Sequence, residues 1–111
     1  MERGTLFILI RSEAIVEPIV IKPEPGRHVH LFFAEGKYEF GHAFHAGRPH
    51  AAIITAVHGD RMVNVAAFDA NGKQAAFCSV ALRQPGDGTP IGSVWAEWMP
   101  YTVESAVKKQ A

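Results

Sequence analysis

Six histidines are the residues of this chain whose type and spacing come nearest to chemistry: His28, His30, His42, His45, His50 and His58. His28 and His30, two apart in an apolar run, would share one face of a strand at about 7 Å, a separation that can chelate a metal once a third ligand arrives. His42 and His45 could do so only in a turn or a helix, because extended geometry sends them to opposite faces. No carboxylate or cysteine stands at a spacing that completes either set, so surface and loop histidines bonded to backbone and water are expected, and no metal. Any response to pH near neutrality would be carried by this cluster.

Other chemical signals are thinner. Ser12, Ser79, Ser93 and Ser105 have no nucleophile context, and no G-x-S-x-G, Walker A, H-E-x-x-H or G-x-G-x-x-G occurs. Glu35 with Glu39, or Glu97 with His58, would form acid/base pairs only if the fold brought them together. Cys78, the one cysteine, allows no intramolecular disulfide and, inside the apolar run Ala75 to Leu82, reads as a small buried hydrophobe. No catalytic residue and no cofactor is expected, and the chain is read as not an enzyme. Trp95, Trp98 and Tyr101 point instead to contact with another macromolecule: one tryptophan closes a core, and the other would anchor an interface.

The elements that must position these residues are short strands. His50 to Leu82 holds three apolar runs, Ala51 to Val57, Met62 to Phe68 and Ala75 to Leu82, separated by His58-Gly59-Asp60 and by Asp69 to Lys73. Gly, Asp and Asn tolerate the positive φ of tight hairpins, so the stretch predicts an antiparallel meander. Apolar residues on both faces of such short strands fit a small barrel. His28 to Ala34 adds a strand with Val29, Leu31 and Phe33 on its core face and His28, His30 and Phe32 opposite. Ser93 to Met99 is the last strand, with Trp95 and Glu97 on one face and Val94, Ala96 and Trp98 on the other. Tyr38 to Pro49 reads as an ordered loop, Gln84 to Gly92 as an exposed, mobile one, and Thr102 to Lys109 as a short helix capped by Thr102. The run Ile15 to Ile21 is interrupted by Pro18, which demotes it to an edge or bulged strand.

At 111 residues, 48% apolar and with 11 basic residues against 11 acidic ones, the chain is globular and formally neutral. Neutrality removes the electrostatic footprint of a nucleic-acid binder, so nucleic acid is not an expected partner. The run Thr5 to Ile10 is too short for a signal core or a membrane span, so a soluble chain with no membrane partner is expected. The organisation predicted is all-β: an N-terminal β extension or arm over 1-40, a small SH3-like or partly open antiparallel barrel over 41-101, and a short helix or tail over 102-111. In the arm, Leu6, Phe7, Ile8, Leu9 and Ile10 form a strand suited to β-addition onto a neighbour.

Four segments, Pro49-His50-Ala51-Ala52-Ile53-Ile54-Thr55, Met62 to Asp69, Ser79-Val80 and Glu97-Trp98-Met99-Pro100-Tyr101, resemble a group of small proteins encoded by tailed bacteriophages that share RPAIV, VNLxVFxDG, TSV and EWMPY-like patterns. The resemblance covers the last two thirds of the chain and departs from the pattern at His50 and at Phe77-Cys78. It implies a non-enzymatic phage accessory protein, virion-associated as a capsid decoration or minor structural component, and in the host cytoplasm before assembly. Its partner would be a phage capsid protein or itself, met through Leu6 to Ile10, Trp95, Trp98 and Tyr101. The alternative is an intracellular phage factor that binds a host protein or nucleic acid through the barrel face.

Overall fold

The computed structural model describes residues 9–10, 14–15, 19–35, 41–90 and 92–110. In chain order the elements are β1 (Leu9–Ile10), β2 (Ala14–Ile15), β3 (His28–Phe33), β4 (His50–Gly59), β5 (Met62–Phe68), β6 (Gln74–Arg83), β7 (Val94–Trp98) and α1 (Pro100–Gln110). Strands β3 to β7 form a closed barrel in sequence order, and β7 returns to pair with β3. A ring of five strands cannot alternate direction throughout, because an odd count leaves two neighbours running the same way. That pair is β6 and β7, parallel with Ala81 opposite Trp95 and Arg83 opposite Glu97. Parallel neighbours force the chain back along the barrel between them, and the segment from Gln84 to Ser93 makes that return. The all-β barrel expected from the sequence is thus present, and it is closed. It also begins earlier than residue 41: β3 fills the gap between β4 and β7, so His28 to Phe33 are barrel, not arm.

Alternation sets the core. Val29, Leu31 and Phe33 of β3, Ala52 and Ile54 of β4, Val63, Val65 and Ala67 of β5, Val80 and Leu82 of β6, and Ala96 and Trp98 of β7 point inward and are buried. Alanines at three of these positions let the larger side chains interdigitate in a ring this narrow. The meander falls where the apolar runs predicted it, with one correction. Val63 of β5 pairs with Val80, but Val65 pairs with Phe77, so Cys78 and Ser79 together oppose Asn64. This bulge, with Ser79 at φ 55°, reverses the inward parity of β6. Phe77 therefore packs against the core, and Cys78 is exposed, not buried.

Asn64 holds the irregular spot together. Its Oδ1 accepts the Ser79 N–H at 2.7 Å and bonds His58 Nε2 at 3.0 Å. A second register shift, between Ile54 and Ala56, lies on the other side of the same residue. The side chain thus supplies an acceptor where the ladder lacks one.

One end of the barrel is sealed by the loop preceding β4. Phe44, 2% exposed, lies against Phe33 with ring centres 4.7 Å apart and meets His50 and Phe77 edge-on at 5.1 and 5.6 Å. Buried His50 bonds through Nδ1 to the Leu31 carbonyl, 3.1 Å, while its Nε2 accepts the His45 N–H, 3.1 Å, which selects the Nδ1–H tautomer. Asp69 anchors the loop to the β5–β6 turn. Its Oδ1 accepts the N–H groups of Asn71 and Lys73, and its Oδ2 accepts that of Ala43, each at 2.8 Å. Gly72, at φ 84°, supplies the positive angle of the turn. Burial works against the charged carboxylate, but the three amides and nearby His42 outweigh it and hold Asp69 below its ordinary range.

The opposite end is sealed by a side-chain amide. Gln84, 2% exposed, donates from Nε2 to the carbonyls of Ile21 (2.9 Å) and Asp60 (2.7 Å). Its Oε1 accepts the Ile21 N–H (2.9 Å) and the Trp98 indole N–H (3.2 Å). Two donors and two acceptors are all used. The loop that begins at Gln84 is consequently anchored, not loose: Asp87 accepts the Gln84 N–H and takes Arg61 in a two-point bond, with contacts of 3.0 and 3.1 Å.

Of the expected strand Ile15 to Ile21, Ile15 belongs to β2, which pairs with β1 through Leu9–Ile15 and Ile10–Ala14, and residues 19–21 are not strand; Pro18 lies outside the described residues. The closed ring has no edge to accept a further strand, so residues 19–23 alternate buried and exposed beneath the barrel without pairing, and Ile19 and Ile21 enter the core. The helix starts two residues before Thr102. Pro100 takes the first helical position, where its missing N–H costs nothing. The amides of Thr102 and Val103 both bond the Met99 carbonyl, so Thr102 is not the cap. Val103, Ala106 and Val107, at i, i+3 and i+4, pack α1 onto the core. Among the described residues no helix is long and apolar enough to cross a membrane.

Candidate partner-binding surface

With the interior filled and both ends plugged, the residues available for chemistry or recognition face outward. The pairing of β3 with β7 decides which ones meet. Phe32 stands opposite Trp95 and His30 opposite Glu97. The Phe32 and Trp95 rings stack nearly parallel, 10° apart with centres at 5.9 Å, and His30 meets Phe32 edge-on at 6.4 Å. All three are half-buried.

Trp95 is held in place. Its indole N–H donates to Glu97 Oε2 at 2.8 Å, and the same oxygen takes Arg83 Nη1 at 2.9 Å. Arg83 is in turn fixed by the carbonyls of Asp87 and Gly88, so the return loop, β6 and β7 lock one another. Burial lowers the pKa of His30, and the Glu97 carboxylate partly offsets that shift. From His30 a depression of about 230 Å³ runs over β3 and β4, lined also by Ala51, Ile53 and Phe68. This is an aromatic platform bordered by an apolar hollow, with the Trp95 indole, Glu97 and Arg83 paired to one another.

The residues singled out from the sequence separate. Trp95 stands on this face. Trp98 lies in the core, 4% exposed, with its N–H bonded to Gln84 and the Arg27 guanidinium 4.8 Å from its ring centre, so it meets no partner unless the barrel opens. Tyr101, 76% exposed, stands in the first turn of α1 and lines a groove with Val20 and Arg27 that does not include Trp95. Leu9 and Ile10 form β1, while Leu6, Phe7 and Ile8 lie outside the described residues. The histidines disperse, and among the described residues no three His, Cys, Asp or Glu side chains gather into a metal site. His42 bonds the Gln74 carbonyl, and His58 is paired with Asn64, not with Glu97.

Comparison with protein families, curated proteins and solved structures finds no match.

Sequence reasoning missed Phe32, Arg83 and Gln84. Phe32 was legible as a large apolar residue on the face opposite the core, but its partner is fixed by ring closure, which joins strands 61 residues apart. Arg83 and Gln84 follow an apolar run and read as its polar boundary.

Proposed function

We propose that this chain is a non-enzymatic accessory protein of a tailed bacteriophage, carried on the virion as a capsid decoration or minor structural protein. It docks on a larger capsid protein, or on further copies of itself, through the outer face of β3 and β7. The observation that carries the reading is the Phe32–Trp95 stack, a half-buried aromatic pair outside the core in which Trp95 is held by the Glu97–Arg83 pair. Preordered aromatic area of this kind loses little side-chain freedom on binding and is where interface energy concentrates. The phage-like segments named above supply the biological setting.

The test is quantitative mass spectrometry on purified particles of the phage that encodes the chain. The expected result is the chain at a fixed ratio to the major capsid protein, near parity for a decoration and a few copies for a vertex, neck or tail component. Absence from particles overturns the reading. It would leave the intracellular factor, whose binding to nucleic acid would weaken steeply with salt.

A further inference from the structure

A second surface lies away from the Phe32–Trp95 face, where residues 19–21 run beside α1. There an open groove of about 460 Å³ is lined by Val20, Arg27, Tyr101, Ser105 and Lys109 among others. Val20 and Tyr101, two of the exposed large apolar residues, stand in it at 47% and 76% exposure. Arg27 and Lys109 bring two positive charges, and among the described residues no carboxylate lines the groove. Arg27 lies over the Trp98 ring and bonds the Lys22 carbonyl; among the described residues neither cation has a carboxylate partner. The backbone adds a third element. Gln84 takes both the N–H and the C=O of Ile21, whereas those of Val20 have no partner among the described residues. Successive residues of an extended chain present these groups to opposite edges, so Val20 offers a free donor and acceptor on the edge away from Gln84.

We propose that this groove binds an extended, acidic segment of a partner protein. The segment would pair its backbone with Val20, place an apolar side chain against Val20 and Tyr101, and set carboxylates on Arg27 and Lys109. A main-chain bond with alternate side chains in pockets is the usual mode of strand addition, and the unmatched cations select for negative charge. The proposal rests on the reading that the chain's partner is a protein, but it uses a surface separate from Trp95.

The test is selection of random nonapeptides displayed in a library on the immobilised full chain, followed by titration of the enriched peptides. The expected result is enrichment of sequences with Asp or Glu alternating with apolar residues. Lys109→Glu should weaken their binding roughly tenfold, since one attraction is replaced by one repulsion at an exposed site, and Ser105→Glu, which adds a repulsion without removing an attraction, should weaken it by roughly threefold. Trp95→Ala should leave it unchanged, and thermal melts of the two α1 variants should match the parent. Enriched peptides without acidic bias, binding indifferent to Lys109→Glu and Ser105→Glu, or no enrichment would each overturn the proposal. Loss of peptide binding on Trp95→Ala would do the same, because it would place the peptides on the other face. Failure here with the chain still present on particles would sink the groove alone.

Discussion

The two ends of the barrel solve one problem by opposite chemistry. At the Phe44 end a loop is laid over the core as an aromatic plug, and its polar atoms are satisfied at the periphery by Asp69. At the Gln84 end a polar side chain is itself the plug, and it binds the segment under the barrel, the β4–β5 turn and the core tryptophan through four hydrogen bonds. Apolar packing is non-directional and tolerates changes that keep volume. A buried amide fails if any partner is left alone. The Phe44 end should therefore forgive substitution, and the Gln84 end should not.

Gln84→Met keeps length and removes all four bonds, which orphans the Ile21 amide and carbonyl, the Asp60 carbonyl and the Trp98 indole N–H. A loss of about 3–5 kcal/mol in urea unfolding is expected; a loss below about 1.5 kcal/mol would remove the distinction between the ends. Asp69→Ala should come next, with a lower denaturant midpoint and faster hydrogen exchange at the amides of Ala43, Asn71 and Lys73. Unchanged exchange at Ala43 would mean that the carboxylate does not tie down the loop. Phe44→Leu should cost less than about 1.5 kcal/mol.

The smallest effect is on pH. The lowered pKa of His30 means that the unfolded chain takes up its proton first, so stability declines as pH falls through 6.5, the ordinary histidine value. Asp69 and Asp87, both held below 3.8, add stability that is present above that pH and is lost as pH falls below it. For Asp87, burial opposes this shift and Arg61, the Gln84 amide and Arg83 outweigh it. His30→Gln should flatten the upper step and leave the acidic one; a mutant with the parent's full profile would contradict the assignment.

How much of this was legible in the sequence follows from the range of each interaction. Strands β3 to β7 were legible because alternation of apolar residues is local, and so were the Gly- and Asp-containing turns. Cys78 was misplaced because no residue in Phe77-Cys78-Ser79 announces the bulge; a non-glycine residue at positive φ is visible only once Asn64 opposite is in place. The sequence places the start of α1 at Thr102, two residues late, because Pro100 breaks a ladder as well as it suits a first helical position. Gln84 could not be read at all, since its meaning comes from Ile21, 63 residues away. The platform shares this limit: Phe32 and Trp95 meet only because an odd ring must close β7 on β3.

The proposed docking of the chain on a phage capsid through the Phe32–Trp95 stack is tested most directly by equilibrium binding of the purified chain to purified phage particles grown without it, parent against Trp95→Ala. The truncation removes the aromatic pair, worth about 0.5–1.5 kcal/mol beyond burial, together with the half-buried ring area and the Glu97 bond, so binding is compared after near-UV circular dichroism shows the variant folded. Saturable binding of the parent with at least tenfold loss in the variant is the predicted result. Equal binding of the two proteins would contradict it and shift the docking surface elsewhere on the barrel.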